Sequence, residues 1–209
     1  MQEQKLPPWI TWAREIQALA QTSDFYAENH FQQERYQRLK EIAAEIIAGY
    51  TGLPPAGLVK TFNRQNGYAT PKIDVRGAVF QGEKILLVQE ALDGGWTLPG
   101  GWVDVEDSPS GAVEREVREE AGFEVKAMQV IGVYDANRAG ELALFHAFKL
   151  LFLCELVDGE ARSSYETSAV GFFGQNEIPQ PFSGERTAAR HIEDAFRAYQ
   201  NPDSPAVFD

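Results

Sequence analysis

The chain has 209 residues, 44% of them apolar, and a formal net charge of −12. That is enough apolar material for one large domain, or for an ordinary domain with a small companion, and it excludes long-range disorder. The acidic balance argues against long nucleic acid as a partner, and the single cysteine, Cys154, excludes an internal disulfide.

The opening MQEQKLPPWI lacks the basic and apolar sections of a secretory signal. The longest apolar run, near 150–154, is too short to cross a bilayer. A cytoplasmic setting with no membrane partner is expected. From 8 to 50 the pattern is helical: Trp9, Trp12, Ile16 and Leu19 recur at three- and four-residue spacing, as do Tyr36, Leu39, Ala43, Ile46 and Tyr50. Pro7 and Pro8 suit a helix start, and the polar stretch 21–30 predicts a connection between two helices. Such a hairpin cannot bury both of its apolar stripes alone. It is expected to pack on the rest of the chain or on another copy, with a homodimer the commonest closed solution. Gly49, Gly52, Pro54, Pro55 and Gly57 predict a linker, so residues 1–58 are read as a helical domain with its linker and 59–209 as the main domain.

The period then changes. Residues 73–80 and 84–90 are apolar and β-branched, joined at Gln81-Gly82-Glu83 as a hairpin. The span 91–108 is rich in turns. Ser108 and Pro109 make a cap and first position for a helix whose inward stripe is Val113, Val117 and Ala121, and Gly122 ends it. Strands are predicted at 124–135, 144–156 and 169–173, and a closing helix at 185–199. This order fits an α/β fold in which a mixed sheet is sandwiched by helices, preceded by the small helical domain. Cys154, in LLFLCEL, reads as a buried strand thiol. His30, His146 and His191 are scattered and form no metal-ligand pattern.

The chemistry concentrates in GWVDVEDSPSGAVEREVREEAGF, residues 101–123. On a helix, Glu116 lies three and four residues from Glu119 and Glu120, so the three carboxylates share a face. Like charges so crowded call for a cation, and oxygen donors suit a hard divalent ion, Mg²⁺ or Mn²⁺. Mg²⁺ is commonly bound through few carboxylates together with substrate phosphates, which points to phosphate chemistry.

The segment resembles the Nudix box, in which Gly is followed after five residues by Glu, and after seven more by Arg-Glu, an aliphatic, any residue, Glu-Glu, any residue, Gly and a bulky apolar residue. Gly101, Asp107, Arg115, Glu116, Val117, Glu119, Glu120, Gly122 and Phe123 stand at those places. Asp107 departs, being shorter than the pattern's Glu, and Glu106 stands where the common pattern has glycine. WTLPGGW at 96–102 is similar to the usual lead-in. WAREIQALAQ with ERYQRLKEIAAEI and PKIDVRGAVF resembles a bacterial Nudix group with its own N-terminal domain.

The resemblance implies an α/β/α sandwich and Mg²⁺-dependent hydrolysis of the pyrophosphate bond in a small nucleoside diphosphate derivative. CDP-choline-like and ADP-ribose-like compounds come first. It implies Glu116, Glu119 and Glu120 as metal ligands with a backbone carbonyl at Gly100 or Gly101, and Arg115 as the residue bracing the acids, which its planar fork suits. Asp107 is expected to need a water or a shifted loop to reach Arg115. The general base stays open between Glu116 and an acid outside the box, Glu166 or Glu177. Arg76, on the first core strand, is a candidate for the pyrophosphate, and Tyr134, Asn137 and Arg138 for the cleft mouth. The alternatives are hydrolysis of other nucleotides or RNA ends, and a nucleotide-sugar-sensing module with little catalysis. Three retained glutamates weigh against the sensor, and no DNA-binding motif is present.

Overall fold

The computed structural model describes residues 7–136, 144–184 and 186–209. These fall into two compact units: 7–71 with 144–146, and 72–136 with 147–209. None of the helices described is long and apolar enough to cross a membrane.

The first unit holds α1 (Pro8–Phe25), α2 (His30–Thr51) and α3 (Pro55–Asn63). Pro7 precedes α1 and Pro8 opens it, as expected where the first N–H groups have no intrahelical partner. The helix runs past the polar residues predicted to connect, so the connection shrinks to 26–29. Asn29 caps α2 by accepting from the Gln32 amide at 3.0 Å. The third helix replaces the predicted linker. Pro55 occupies its first turn, where proline is tolerated, and Leu58 and Phe62 lie one turn apart and are buried. They pack with Ile10, Ala13, Ala43, Ala44 and Ile47 to form the core of this unit.

The second unit contains β1 (Lys72–Gln81), β2 (Lys84–Glu90), β3 (Trp96–Thr97), α4 (Pro109–Ala121), β4 (Phe123–Asp135), β5 (Ala147–Gly159), β6 (Thr167–Gly174), α5 (Ala189–Gln200) and β7 (Val207–Phe208). The strand order is β3-β2-β1-β5-β4-β7, with β6 paired to β2. β1 runs parallel to β5 and β4 antiparallel to it, so the sheet is mixed as predicted. The strands β3 and β7 are two residues each, too short for a period to reveal.

Both faces of the sheet are covered. Val75, Val79, Leu86 and Val88 pack against Ala112, Val113, Val117 and Ala121 of α4. Ala78, Phe80, Ile85 and Leu87 pack against Ile192, Ala195 and Phe196 of α5. This alternation along β1 and β2 follows from the two-residue period of a strand, and it gives the α/β/α sandwich. Cys154 is buried in the α4-side core and its thiol is pushed up to about 12, chiefly by burial.

One feature of the pairing prepares the site. β2 pairs with β1 only beside their turn, at Phe80–Ile85 and Gln81–Lys84. The rest of that edge of β1 is taken by residues 99–103. Gly77 N donates to Pro99 O at 2.9 Å, Val75 N to Gly101 O at 2.8 Å, and Val103 N to Ile73 O at 3.0 Å.

Candidate active site

α4 carries the acids. Ser108 caps it by accepting from Gly111 N at 3.1 Å, Pro109 starts it, and Gly122 closes it in the left-handed conformation. With Val113, Val117 and Ala121 turned into the core, Glu116 and Glu120, one turn apart, are left facing the 99–103 segment.

Close approach requires glycine at 100, and glycine at 101 lets a flexible carboxylate lie against the backbone. A Cβ on Gly100 would stand 2.0 Å from Val75 O, and one on Gly101 would stand 3.0 Å from a Glu116 carboxylate oxygen. Gly100 N donates to Glu120 Oε2 at 2.9 Å. The carboxylates of Glu116 and Glu120 therefore lie against bare backbone. The Gly101 carbonyl accepts from Val75 N, which occupies one of its two lone pairs.

Arg115 braces the acids by direct contact. Its Nη1 donates to Glu116 Oε1 at 2.7 Å and to Glu119 Oε2 at 3.3 Å, and its Nη2 to Asp107 Oδ2 at 3.3 Å. Asp107 makes this contact directly, without the water expected from its shorter side chain. A turn closed by Asp107 N on Asp104 O, at 3.1 Å, carries it to the guanidinium. Glu106 has φ 78 at the third position of that turn, which is where a type II turn calls for glycine.

Glu120 is nearly buried, and burial lifts its carboxyl to about 7 against the pull of Arg76 and the Gly100 amide; Glu116 and Glu90 add to the rise. Burial likewise raises Glu116, opposed by Arg115 and assisted by Glu119. Two acids held above the ordinary carboxylate range mark a place short of positive charge. The donors are all carboxylate oxygens, so the residues fit a hard divalent cation by charge and by chemistry. In this conformation no three acidic, histidine or cysteine side chains converge on one point among the described residues. Glu116 and Glu119 are turned to Arg115, and Glu120 to Gly100.

The other predicted residues divide. Arg76 is 3% exposed; it donates through Nε and Nη2 to Asp74 at 3.0 and 2.7 Å and through Nη1 to Leu98 O at 3.1 Å. Glu120 and Glu90 stand near enough to stabilise its charge. Glu166 is exposed at the start of β6, beside Thr167, whose hydroxyl donates to Glu120 O at 2.7 Å. Glu177 sits at the other end of the β2–β6 ladder, where Lys84 faces Gly174. Tyr134 is in the core against α5; burial and the Asp194 carboxylate, which accepts from its hydroxyl at 2.8 Å, raise its pKa. Asn137 and Arg138 lie outside the described residues.

Reading from sequence does not single out Asp74 or Lys149. Lys149 Nζ donates to Asp74 Oδ1 at 2.6 Å across the parallel β1–β5 pair. Burial opposes the Asp74 charge, but Arg76 and Lys149 prevail and hold its carboxyl below the usual range. A signal existed: Asp74 and Arg76 are opposite charges two apart in an apolar strand, hence on one face. His191, given no role from sequence, is also buried here. Its Nδ1 accepts from Ala188 N at 3.1 Å, and its Nε2 meets no partner among the described residues.

A helix of acids braced by one arginine is thus set against a glycine bend, on a mixed sheet between helices. Comparison with known proteins gives the family. The NUDIX domain profile matches residues 70–195, and a profile described as a UDP-X-like, N-terminal oligomerisation domain matches residues 7–62. YjhB of Bacillus subtilis (strain 168), provisionally named an ADP-ribose pyrophosphatase, is 32% identical over 96% of this chain and 97% of its own length. A solved ADP-ribose pyrophosphatase from Streptococcus suis is 37% identical, with a TM-score of 0.59 over 67% of this chain and all of that one. A UDP-X diphosphatase structure is 28% identical, with a TM-score of 0.63 over 97% and 98% of the two chains. The chain belongs to the Nudix family, whose hydrolases generally use divalent metal ions.

Proposed function

We propose that this protein hydrolyses the pyrophosphate bond of a small nucleoside diphosphate derivative, ADP-ribose-like or CDP-choline-like, releasing a nucleoside monophosphate and a phosphorylated moiety. The observation that carries the reading is the pair Glu116 and Glu120 packed on Gly101 and Gly100, with Arg115 joining Glu116, Glu119 and Asp107. The names of its relatives, two of them solved structures, support the substrate class.

Glu116, Glu119 and Glu120, with a backbone carbonyl of the Gly100–Gly101 bend, would hold Mg²⁺, or Mn²⁺ in its place. When bound, that ion neutralises phosphate charge and acidifies water. The chain's own residues do the rest. Arg115 fixes where Glu116 and Glu119 point. Burial under the glycine bend keeps Glu116 and Glu120 out of bulk water, where their charge acts over a lower dielectric. A proton leaving the attacking water goes to Glu116 or to Glu166. Of the two outside acids we favour Glu166, which precedes Thr167, whose hydroxyl donates to the main-chain oxygen of Glu120. Glu177 is a ladder length away, about 20 Å. Arg76 carries positive charge beside Glu120 and contributes to the field on the phosphates. Asn137 and Arg138 remain our candidates for the far part of the substrate; Tyr134, expected with them at the cleft mouth, is withdrawn because it is buried in the core with its hydroxyl on Asp194.

The helical residues 1–58 are assigned to self-association, as a homodimer, and the single buried thiol fits a cytoplasmic setting. The test is a panel of nucleoside diphosphate conjugates with Mg²⁺ and with Mn²⁺, both products identified, repeated in heavy-oxygen water to show which phosphorus accepts the nucleophile. No cleavage of any conjugate would overturn the reading. Glu166→Gln should lower turnover by about 10²-fold or more if it is the base; a change under tenfold leaves Glu116.

A further inference from the structure

The glycine bend is anchored at its entrance by side chains. Leu98, two residues before Gly100, donates its N–H to Thr187 Oγ1 at 3.0 Å. Its carbonyl accepts from Arg76 Nη1 and from Thr97 Oγ1, each at 3.1 Å. Pro99 follows and offers no N–H, so the next main-chain anchors are the bonds of Pro99 O and Gly101 O to β1. Thr97 Oγ1 and Thr187 Oγ1 also lie 2.8 Å apart, a contact in which either hydroxyl can donate. Both threonines are buried, so the Thr187 oxygen is the acceptor for Leu98 N–H away from water.

Thr187 is itself held in place. Ser183 N donates to Trp96 O at 3.0 Å, Trp96 N to Pro181 O at 2.9 Å, and Ser183 Oγ to Asp93 Oδ2 at 2.9 Å. Arg186, its neighbour, is paired with Glu90. The segment entering α5 is thus tied to β3 before it reaches Leu98.

We propose that Thr187 is a positioning residue for the hydrolysis, setting the Leu98 peptide and through it the placement of Gly100 on Glu120 and Gly101 on Glu116. The bend has no slack to absorb a shift, because Gly100 already lies backbone to backbone on Val75 and Arg76. Valine at 187 would fill the same space but leave the Leu98 N–H buried and unpaired, and the peptide would move to relieve it. A displacement of about 1 Å among reacting groups can cost about 10²-fold in rate.

The inference rests on the function proposed above, and the test separates the two. The full chain is assayed with saturating Mg²⁺ on ADP-ribose, or on the conjugate that the wild type cleaves fastest, beside thermal melts. Thr187→Val is expected to lower kcat about tenfold or more with KM within about threefold, and Thr187→Ser to restore kcat to within about threefold. A role in stability alone would lower the melting temperature and leave kcat per folded molecule unchanged. A Val variant with kcat within twofold of wild type overturns the inference, as does a Ser variant as slow as Val. If Val at 187 does not fold, Thr187→Cys keeps a weak acceptor. It should lose about threefold in kcat relative to Ser; equality with Ser overturns the proposal. A wild type that cleaves nothing in the panel overturns the functional reading and this inference with it.

Discussion

Glu106 and Asp107 show how one turn departs from the family pattern without losing its purpose. A non-glycine residue at φ 78 bears roughly 1–2 kcal/mol of strain, while glycine costs about 0.5–1 kcal/mol more chain entropy on folding. Glu106→Gly should therefore stabilise the protein by roughly 0.5–1 kcal/mol, seen as a higher urea midpoint at unchanged slope; a lower midpoint would refute the strain. Asp107 reaches Arg115 at 3.3 Å, longer than a charge-assisted bond ordinarily runs. The longer side chain of Asp107→Glu still reaches, so kcat/KM should stay within about threefold. Loss beyond tenfold would mean the turn is built for aspartate. Arg115→Lys is the opposite case. A single ammonium cannot reproduce a fork that touches Glu116, Glu119 and Asp107 together, and kcat/KM should fall about tenfold or more. These contacts were legible in the sequence to the extent that helix spacing dictates them. Arg115 with Glu119 is an i,i+4 pair, and the Glu116–Glu120 face follows from 3.6 residues per turn. The direct reach of Asp107 was not, because it depends on how residues 104–107 turn.

At the scale of elements, what the sequence revealed is what burial repeats. The continuous apolar, β-branched runs of β1 and β2 were readable because both of their faces are buried, and the four-residue stripe of α4 because one side of that helix meets the core. The third helix escaped because GLPPAGL reads as punctuation, although proline in a first turn is compatible with helix and Leu58 with Phe62 anchors it. The buried ions of β1 and β5 escaped for a different reason: charge is ordinarily a sign of exposure, and only the three-dimensional pairing of Asp74 with Arg76 and Lys149 makes burial affordable. His191, at the start of α5, is the clearest consequence. It is 2% exposed, and burial first, then Lys149 and Arg190, push its imidazole down to about 3. Unfolded, the ring titrates at about 6.5. Between those values the unfolded chain binds the proton and the native chain does not. Stability from this group is complete above pH 6.5 and is lost progressively as pH falls toward 3. The wild type should lose up to about 1.4 kcal/mol per pH unit more than His191→Gln between pH 6 and 4.5, measured by urea unfolding at each pH. Parallel profiles would show that His191 is protonated in the native state.

The whole molecule carries more apolar surface on its first unit than its own core consumes. Trp12, Leu19 and Tyr26 are 61%, 61% and 64% exposed, and they stand seven residues apart. Seven residues are nearly two turns, so the three side chains form one stripe along α1 and its end. The opposite side of α1, through Ile10, Ala13 and Ala20, is fully buried. A stripe of large apolar residues on an otherwise acidic chain is what an isologous pair would cover, and the match to an N-terminal oligomerisation domain points the same way. The chain should run as a dimer at micromolar concentration in light scattering. Leu19→Lys, which places a charge at the middle of the stripe without touching the unit's core, should shift the population to monomer while its helical circular dichroism is retained. Wild-type scattering at the monomer mass would show that the stripe is simply tolerated in water. A Leu19→Lys dimer as tight as wild type would move the interface to another surface of the helices.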